Sequence, residues 1–210
     1  MITKEQYRTA LAGRHGAAAQ KKLEQAAVGI AGLGGLGSNI AFFLARLGVG
    51  RLVLADFDTV DLTNLNRQQY RLCDLGRPKA EALTRQLKEI NPFCTYEPYS
   101  IRVTPETIPA LFGGCTVLCE AFDQPEQKAM LAETVLGELP DLPLVAGSGM
   151  AGFSSANSIQ TVRRMKNFYL CGDGTAEVAD GVSLAAPRVA VCAAHQATMA
   201  MRLILGETQP

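Results

Sequence analysis

The feature that most narrows the fold is a glycine turn between a strand-length apolar run and an apolar helix. Ala27-Val28-Gly29-Ile30-Ala31 is followed at once by Gly32-Leu33-Gly34-Gly35-Leu36-Gly37, which satisfies G-x-G-x-x-G. Residues 38–47 then read as a helix apolar on nearly all faces (Ile40, Ala41, Phe42, Phe43, Leu44, Leu47), and such a helix is usually buried. Glycines let the backbone turn tightly and approach a phosphate, while the helix start offers free amides and a positive dipole end. Asp56 stands 19 residues beyond Gly37, at the end of a second strand from Arg51 to Ala55. An acid at that distance accepts from ribose hydroxyls. Gly32, Gly34, Gly35, Gly37 and Asp56 are therefore expected to bind a nucleotide with an unmodified ribose. The plainer alternative is a turn that only needs positive φ. A Walker-type NTPase is excluded, because Ser38 and Asn39 stand where that motif has Lys and Ser/Thr.

Downstream, helix and strand keep alternating. Helix is expected over 78–90 with proline in its first turn, strand over 93–99, and a short helix near Pro105. Strand then follows over 116–121, helix over 125–139, and strand over 144–146. Apolar runs without period-two alternation predict a parallel sheet covered on both faces. The fold class is α/β: a Rossmann-like, doubly wound, mainly parallel sheet. Residues 4–25 read as one or two helices interrupted at Gly13 and Gly16. Residues 147–186, rich in Gly, Ser and Ala, predict a loop with short strands near 157–163 and 168–170, ahead of a last helix over 187–205.

At 210 residues against roughly 150 for an ordinary domain, one domain is expected over 1–210. It divides into an N-terminal helical segment (1–25), a nucleotide-binding core (26–147), and a crossover loop with the C-terminal helix (148–210). Twenty basic and twenty acidic side chains leave no net charge, which argues against nucleic acid and membrane surfaces as partners. The six cysteines contain no C-x-x-C pair, so neither zinc nor a disulfide framework is expected. The opening residues lack a signal-peptide core, and a cytoplasmic location is the expectation.

Asn64-Leu65-Asn66-Arg67-Gln68 and Gly76-Arg77-Pro78-Lys79 add two asparagines, an arginine and a lysine shortly after Asp56. Ligands bind at the carboxyl ends of such strands. A dinucleotide needs little more than helix-terminal amides, whereas a triphosphate needs extra cations and a metal. Asp123, ending the fourth strand, is placed to hold Mg²⁺. Nucleoside triphosphate plus Mg²⁺ is the expectation, with a nicotinamide-dependent oxidoreductase as the alternative from another class.

These motifs, with Asp56-Phe57-Asp58-Thr59-Val60, Ile90-Asn91-Pro92 and Ala121-Phe122-Asp123, resemble the ubiquitin-activating-type adenylyltransferases over nearly the whole chain. Gly147–Gly152, Gly172-Asp173-Gly174 and Ala186-Pro187-Arg188 fit the shorter, zinc-free ThiF branch. The resemblance implies ATP-dependent adenylation of a ubiquitin-like sulfur carrier ending in Gly-Gly, ThiS-like and serving thiamine biosynthesis. The molybdopterin-synthase small subunit is the neighbouring alternative.

By the same resemblance, Gly35 lies near the phosphates and Asp56 binds the ribose. Asn64, Asn66 and Gln68 line the nucleotide site, Arg67 and Lys79 contact phosphates, and Asp123 directs Mg²⁺. Asp58 is read either as an outer metal group or as a turn residue. Arg67 has a surface ion-pair alternative, Lys79 that of an ordinary first-turn residue, and Asp123 that of a helix N-cap. Arg14 would reach a partner subunit's site, making the protein a homodimer; the other reading is a solvated helix residue. The last helix would supply the dimer interface or, more plainly, pack onto its own sheet. Cys171 is a candidate sulfur-transfer thiol in a glycine-rich loop; the other reading is structural.

Overall fold

The computed structural model describes residues 2–176, 178, 179 and 183–210. Five strands lie parallel in the order the alternation requires: β1 (Ala27–Ala31), β2 (Arg51–Ala55), β3 (Thr95–Tyr99), β4 (Val117–Glu120) and β5 (Leu144–Gly147). A hairpin of β6 (Gln160–Met165) and β7 (Phe168–Gly172) completes a seven-stranded sheet of order β3-β2-β1-β4-β5-β7-β6, in which only β6 runs antiparallel. Part of the predicted 147–186 loop is thus sheet, and residues 177 and 180–182 within it lie outside the described residues.

Two helices precede the sheet, α1 (Lys4–His15) and α2 (Ala17–Gln25), broken only at Gly16, whose φ is +83°. Gly13 continues α1. The remaining helices are α3 (Gly35–Leu47), α4 (Lys79–Ile90), α5 (Ile108–Phe112), α6 (Pro125–Glu138) and α7 (Ala186–Leu205). Strand residues divide between two cores because successive side chains point to opposite faces. Val28, Ile30, Leu52, Leu54, Cys119 and Tyr169 meet α2, α3, α4 and α7. Val53, Leu118 and Leu144 meet α5 and α6 through Ile108, Phe112, Leu131 and Val135. Gly29 is required where the second core presses on β1: a Cβ there would lie 2.6 Å from Phe112. One face of α7 (Val189, Cys192, Ala193, Gln196, Ala200) is buried against the sheet and α3, the plainer of its two expected roles. Among the described residues no helix is long and apolar enough to cross a membrane.

The reversal of winding falls between β1 and β4, whose neighbours β2 and β5 lead in opposite directions. Crevices form outside the carboxyl ends of strands at such a switch, and the site lies there.

Candidate active site

A cleft of about 830 Å³ opens at these strand ends, lined by Gly32, Gly34, Gly35, Asp56, Asp58, Asn64, Arg67, Gln68, Lys79 and Asp123 among others. Most of the predicted nucleotide residues therefore converge on one space. Gly32 has φ +89°, and a Cβ there would meet the Ala121 carbonyl at 2.8 Å. The Gly37 α-carbon passes so close to the Gly32 carbonyl that a Cβ would lie 1.9 Å from that oxygen. Gly37 therefore serves the packing of helix on strand and does not line the cleft. Gly34 precedes α3 without a side-chain cap, which leaves first-turn amides free for an anion.

The turn is held by its surroundings. Asp56 accepts from the Leu33 N–H at 2.6 Å and, through its other oxygen, from the Asp58 N–H at 2.8 Å. Tyr70 donates its O–H to the Leu33 carbonyl at 2.8 Å. Asp56 is 8% exposed; burial raises its carboxyl pKa while the Lys79 charge and the two amides pull it down. A carboxylate offers about four lone-pair sites, so two amides leave room for ribose hydroxyls. Ser38 Oγ donates to the Gly34 carbonyl at 2.6 Å and Asn39 to that of Gly35 at 2.7 Å. The same side chains accept from the Gln69 N–H and Gln69 Nε2, at 3.2 and 2.7 Å. The two residues that replace a P-loop's Lys and Ser/Thr thus fasten the turn to the segment that carries Arg67.

Lys79 opens α4, is 6% exposed, and donates to Asp58 Oδ2 at 2.7 Å. A cation at a helix N-terminus opposes the dipole, and the half-exposed Asp58 offsets it. Asp58 thus acts both as the partner of Lys79 and in the turn after Asp56. Arg67 donates through one terminal nitrogen to the Thr63 carbonyl (3.1 Å) and Asn66 Oδ1 (2.8 Å). It forms no ion pair among the described residues, and its Nε is buried without a partner, as is Gln68 Oε1. Buried polar atoms of this kind call for an explanation, and a polar ligand in the cleft supplies one. Asn66 is corrected: it is the acceptor for Arg67 and does not line the cleft. Asn64 lines it, with Oδ1 already accepting from the Asp61 N–H at 3.0 Å.

Asp123 is exposed, faces the cleft and makes no hydrogen bond among the described residues. The N-cap of α6 is Gln124, so Asp123 does not cap the helix. Among the described residues no three acidic, His or Cys groups cluster as a metal site. An exposed carboxylate lining the cleft is the kind of donor Mg²⁺ takes, since that ion is commonly held by one or two carboxylates with substrate phosphates and water filling the shell.

Three residues that sequence reasoning passed over also matter. Lys128 and Arg102 line the cleft, the latter with its guanidinium 4.0 Å above the exposed Phe57 ring. Glu120, at the end of β4, is 1% exposed and binds Lys128; burial raises its carboxyl pKa, opposed chiefly by the lysine charge. An acid ending an otherwise apolar strand was the available signal for it.

The far wall, including Ser148–Ala151 and Gly174–Ala176, is tied to α7 by Arg188. That side chain, 4% exposed, donates to the carbonyls of Ser154 (2.9 Å) and Ser155 (2.7 Å) and pairs closely with Asp173. Burial would raise the Asp173 carboxyl pKa, but amides of Ala176 and Thr175, with Arg188, hold it below the usual value.

Two further predictions, besides Gly37 and Asn66, fall outside the cleft. Arg14 is exposed near the end of α1 and does not line the cleft of its own chain. Cys171 is in β7, not a loop, and is 0% exposed. Burial pushes its thiol up to about 11, so the reactive thiolate that sulfur transfer needs is not presented. The structure assigns this residue to the sheet.

Comparison with known proteins bears on these features together. A model of the ThiF family matches residues 4–210. The adenylyltransferase and sulfurtransferase uba4 of Aspergillus terreus is 38% identical over 132 residues, 62% of this chain. The chain spans only 27% of that relative's length. The molybdopterin-synthase adenylyltransferase of Salmonella typhimurium is 29% identical over 197 residues, covering 91% of this chain and 78% of that protein. Among solved structures, E. coli tRNA N6-threonylcarbamoyladenosine dehydratase in complex with ATP gives a TM-score of 0.86, with 98% of this chain and 97% of that chain covered. Its identity is 24%, so that likeness speaks for the fold alone.

Proposed function

The chain belongs to the ThiF family, and from that premise we propose that it is an ATP-dependent adenylyltransferase acting on the C-terminal carboxylate of a ubiquitin-like sulfur carrier. The observation that carries this reading is the convergence of free α3 amides, Asp56, Arg67, Lys79 and Asp123 on one cleft. In the proposed reaction the carrier carboxylate attacks the α-phosphorus of ATP. The bond from that phosphorus to the oxygen bridging to the β-phosphate breaks, and pyrophosphate leaves an acyl-adenylate behind. A carboxylate is already ionised at pH 7, and among the described lining residues there is no histidine. Catalysis is then alignment and charge neutralisation.

Asp56 holds the ribose, and the α3 amides with Lys79 and Arg67 bear on the phosphates. Asp123 would hold Mg²⁺, which when bound neutralises phosphate charge. Among carriers we favour a ThiS-like protein ending in Gly-Gly. The resemblance of Gly172-Asp173-Gly174 and Ala186-Pro187-Arg188 to the short ThiF branch supports it. A molybdopterin-synthase small subunit is the second reading, favoured by the Salmonella relative. The exposure of Arg14 away from its own cleft is compatible with action in a partner subunit of a cytoplasmic homodimer.

ATP–pyrophosphate exchange with Mg²⁺ and each purified carrier tests the proposal. Exchange should depend on a carrier with an intact Gly-Gly terminus, and the preferred carrier should be ThiS-like. No exchange with any such carrier, together with tight NAD binding, overturns it in favour of an oxidoreductase.

A further inference from the structure

Arg67, Lys79, Arg102 and Lys128 all border the cleft, and Lys128 is nearest Asp123 in the chain. Counting charges alone would make it another phosphate ligand. Its hydrogen bonds point elsewhere. An ammonium has three N–H donors, and Lys128 Nζ directs them to Glu120 Oε1 (2.9 Å), Glu120 Oε2 (2.8 Å) and the Phe122 carbonyl (3.0 Å). Lys79, by contrast, has one side-chain acceptor among the described residues, Asp58.

The partner of Lys128 is equally committed. Glu120 Oε1 also accepts from the Phe122 N–H at 2.7 Å. One ion pair therefore holds both the N–H and the carbonyl of the residue immediately before Asp123. The base of the turn is fixed from two further sides. Gln196 of α7 donates to the Glu120 carbonyl at 2.8 Å and to that of Val145 at 3.1 Å. The Ala121 N–H donates to the Ala31 carbonyl at 2.8 Å.

We propose that Glu120 and Lys128 are positioning residues, a clamp that fixes the β4–α6 turn so that Asp123 is presented to the cleft, and that Lys128 gives no hydrogen bond to the nucleotide. Buried ion pairs contribute little net stability compared with apolar packing; the return here is the geometry of Phe122. The inference rests on the reading of Asp123 as the metal-directing acid, but the clamp itself is measurable without any metal.

Amide hydrogen exchange paired with calorimetric titration of metal-free ATP provides the test. Lys128→Met alone leaves a buried carboxylate unpaired and is expected to unfold readily, so the main variant is the double Glu120→Gln/Lys128→Met. It should keep its metal-free ATP affinity within about twofold while the Phe122 amide exchanges about tenfold faster or more, the change expected for losing a charged hydrogen bond. Amides of β1 and β2 should stay protected. Lys128→Arg, which can still pair with Glu120, should restore slow exchange. In the same titrations with Mg²⁺ added, the double variant should lose the metal-dependent tightening of ATP, as Asp123→Ala does.

A loss of metal-free ATP affinity of about tenfold or more in the double variant, the size of a lost charged contact, would make Lys128 a ligand and overturn the proposal. Unchanged exchange at Phe122 would also overturn it. If wild type and Asp123→Ala respond to Mg²⁺ identically, the metal role of Asp123 fails, while exchange at Phe122 still decides the clamp.

Discussion

Across the cleft the glycine turn faces a second wall, Ser148–Ala151 with Gly174–Ala176, and the two are held in different ways. The first is pinned at many short-range points: Asp56 and Tyr70 on Leu33, Ser38 on Gly34, Asn39 on Gly35. The second is irregular backbone held by main-chain bonds, among them Ser148 N–H to the Cys171 carbonyl and Asp173 N–H to that of Gly149, and braced by one buried side chain, Arg188, reaching Asp173 and the carbonyls of Ser154 and Ser155. Many small restraints make a wall that cannot yield in part. The second wall adds one buried arginine to its main-chain bonds, so a single substitution weakens it more than any one change weakens the first. A preorganised surface suits fixed phosphate geometry, and a wall with fewer side-chain restraints suits a flexible chain terminus.

Four measurements would break or sharpen that contrast. Asp123→Ala should have the largest effect, lowering ATP–pyrophosphate exchange by about 10³, the upper range for removing one preorganised electrostatic group. Melting should be unchanged, because this exposed side chain makes no hydrogen bond among the described residues; a destabilised variant would show it to be structural. Lys79→Met comes next, with exchange down about 10²-fold and a raised KM for ATP. Since Asp58 is half-exposed, little stability should be lost.

Arg188→Ala should invert the pattern. ATP binding should persist and the KM for the carrier rise by about tenfold, while about 3 kcal/mol of stability is lost through the stranded Asp173. Equal losses of ATP and carrier affinity would mean that the walls are not separate. Cys171→Ser should be smallest, leaving exchange within about twofold and costing about 1 kcal/mol for the buried hydroxyl. A selective loss of sulfur transfer would return this thiol to the chemistry.

The walls should also answer pH with opposite sign. Asp173 is held below its ordinary value of 3.8, so its contribution is present above that pH and fades as pH falls through the lower, folded value. The stability gap between wild type and Asp173→Asn should therefore be full at neutral pH and close in acid. Asp56 is raised above 3.8 by burial, so its contribution is present below that pH and lost as pH rises through the raised value. Thermal melts of Asp56→Asn against wild type should show the balance shifting toward the variant as pH rises. The same trend for both substitutions would refute the assignment of environments.

The first wall was legible because each of its residues is fixed by spacing from a strand: the glycines follow β1, Asp56 follows β2, Asp123 follows β4. The second was not, since its organising contact joins Arg188 to a residue 15 positions away with no periodicity to announce it. Gly-, Ser- and Ala-rich composition also concealed that Cys171 pairs within the sheet, opposite Gly147 of β5. Within the first wall the errors were local. Asn66 sits in a ligand-like motif but is turned toward its neighbour Arg67. Lys128 was overlooked because its partner Glu120 interrupts an apolar strand, a position where composition favours another aliphatic residue.

The fastening of Ser38 and Asn39 to Gln69 limits what can stand at those two positions. Placing a phosphate-binding lysine at position 38 would remove the hydroxyl that joins the carbonyl of Gly34 to the amide of Gln69. A change at position 39 would cut the parallel link from Gly35 to the Gln69 side chain. Neither replacement is reachable in one step without loosening the segment that already carries Arg67. In this chain the side chains at 38 and 39 are thus occupied in holding the turn, and a P-loop pair there would come only with the loss of that fastening.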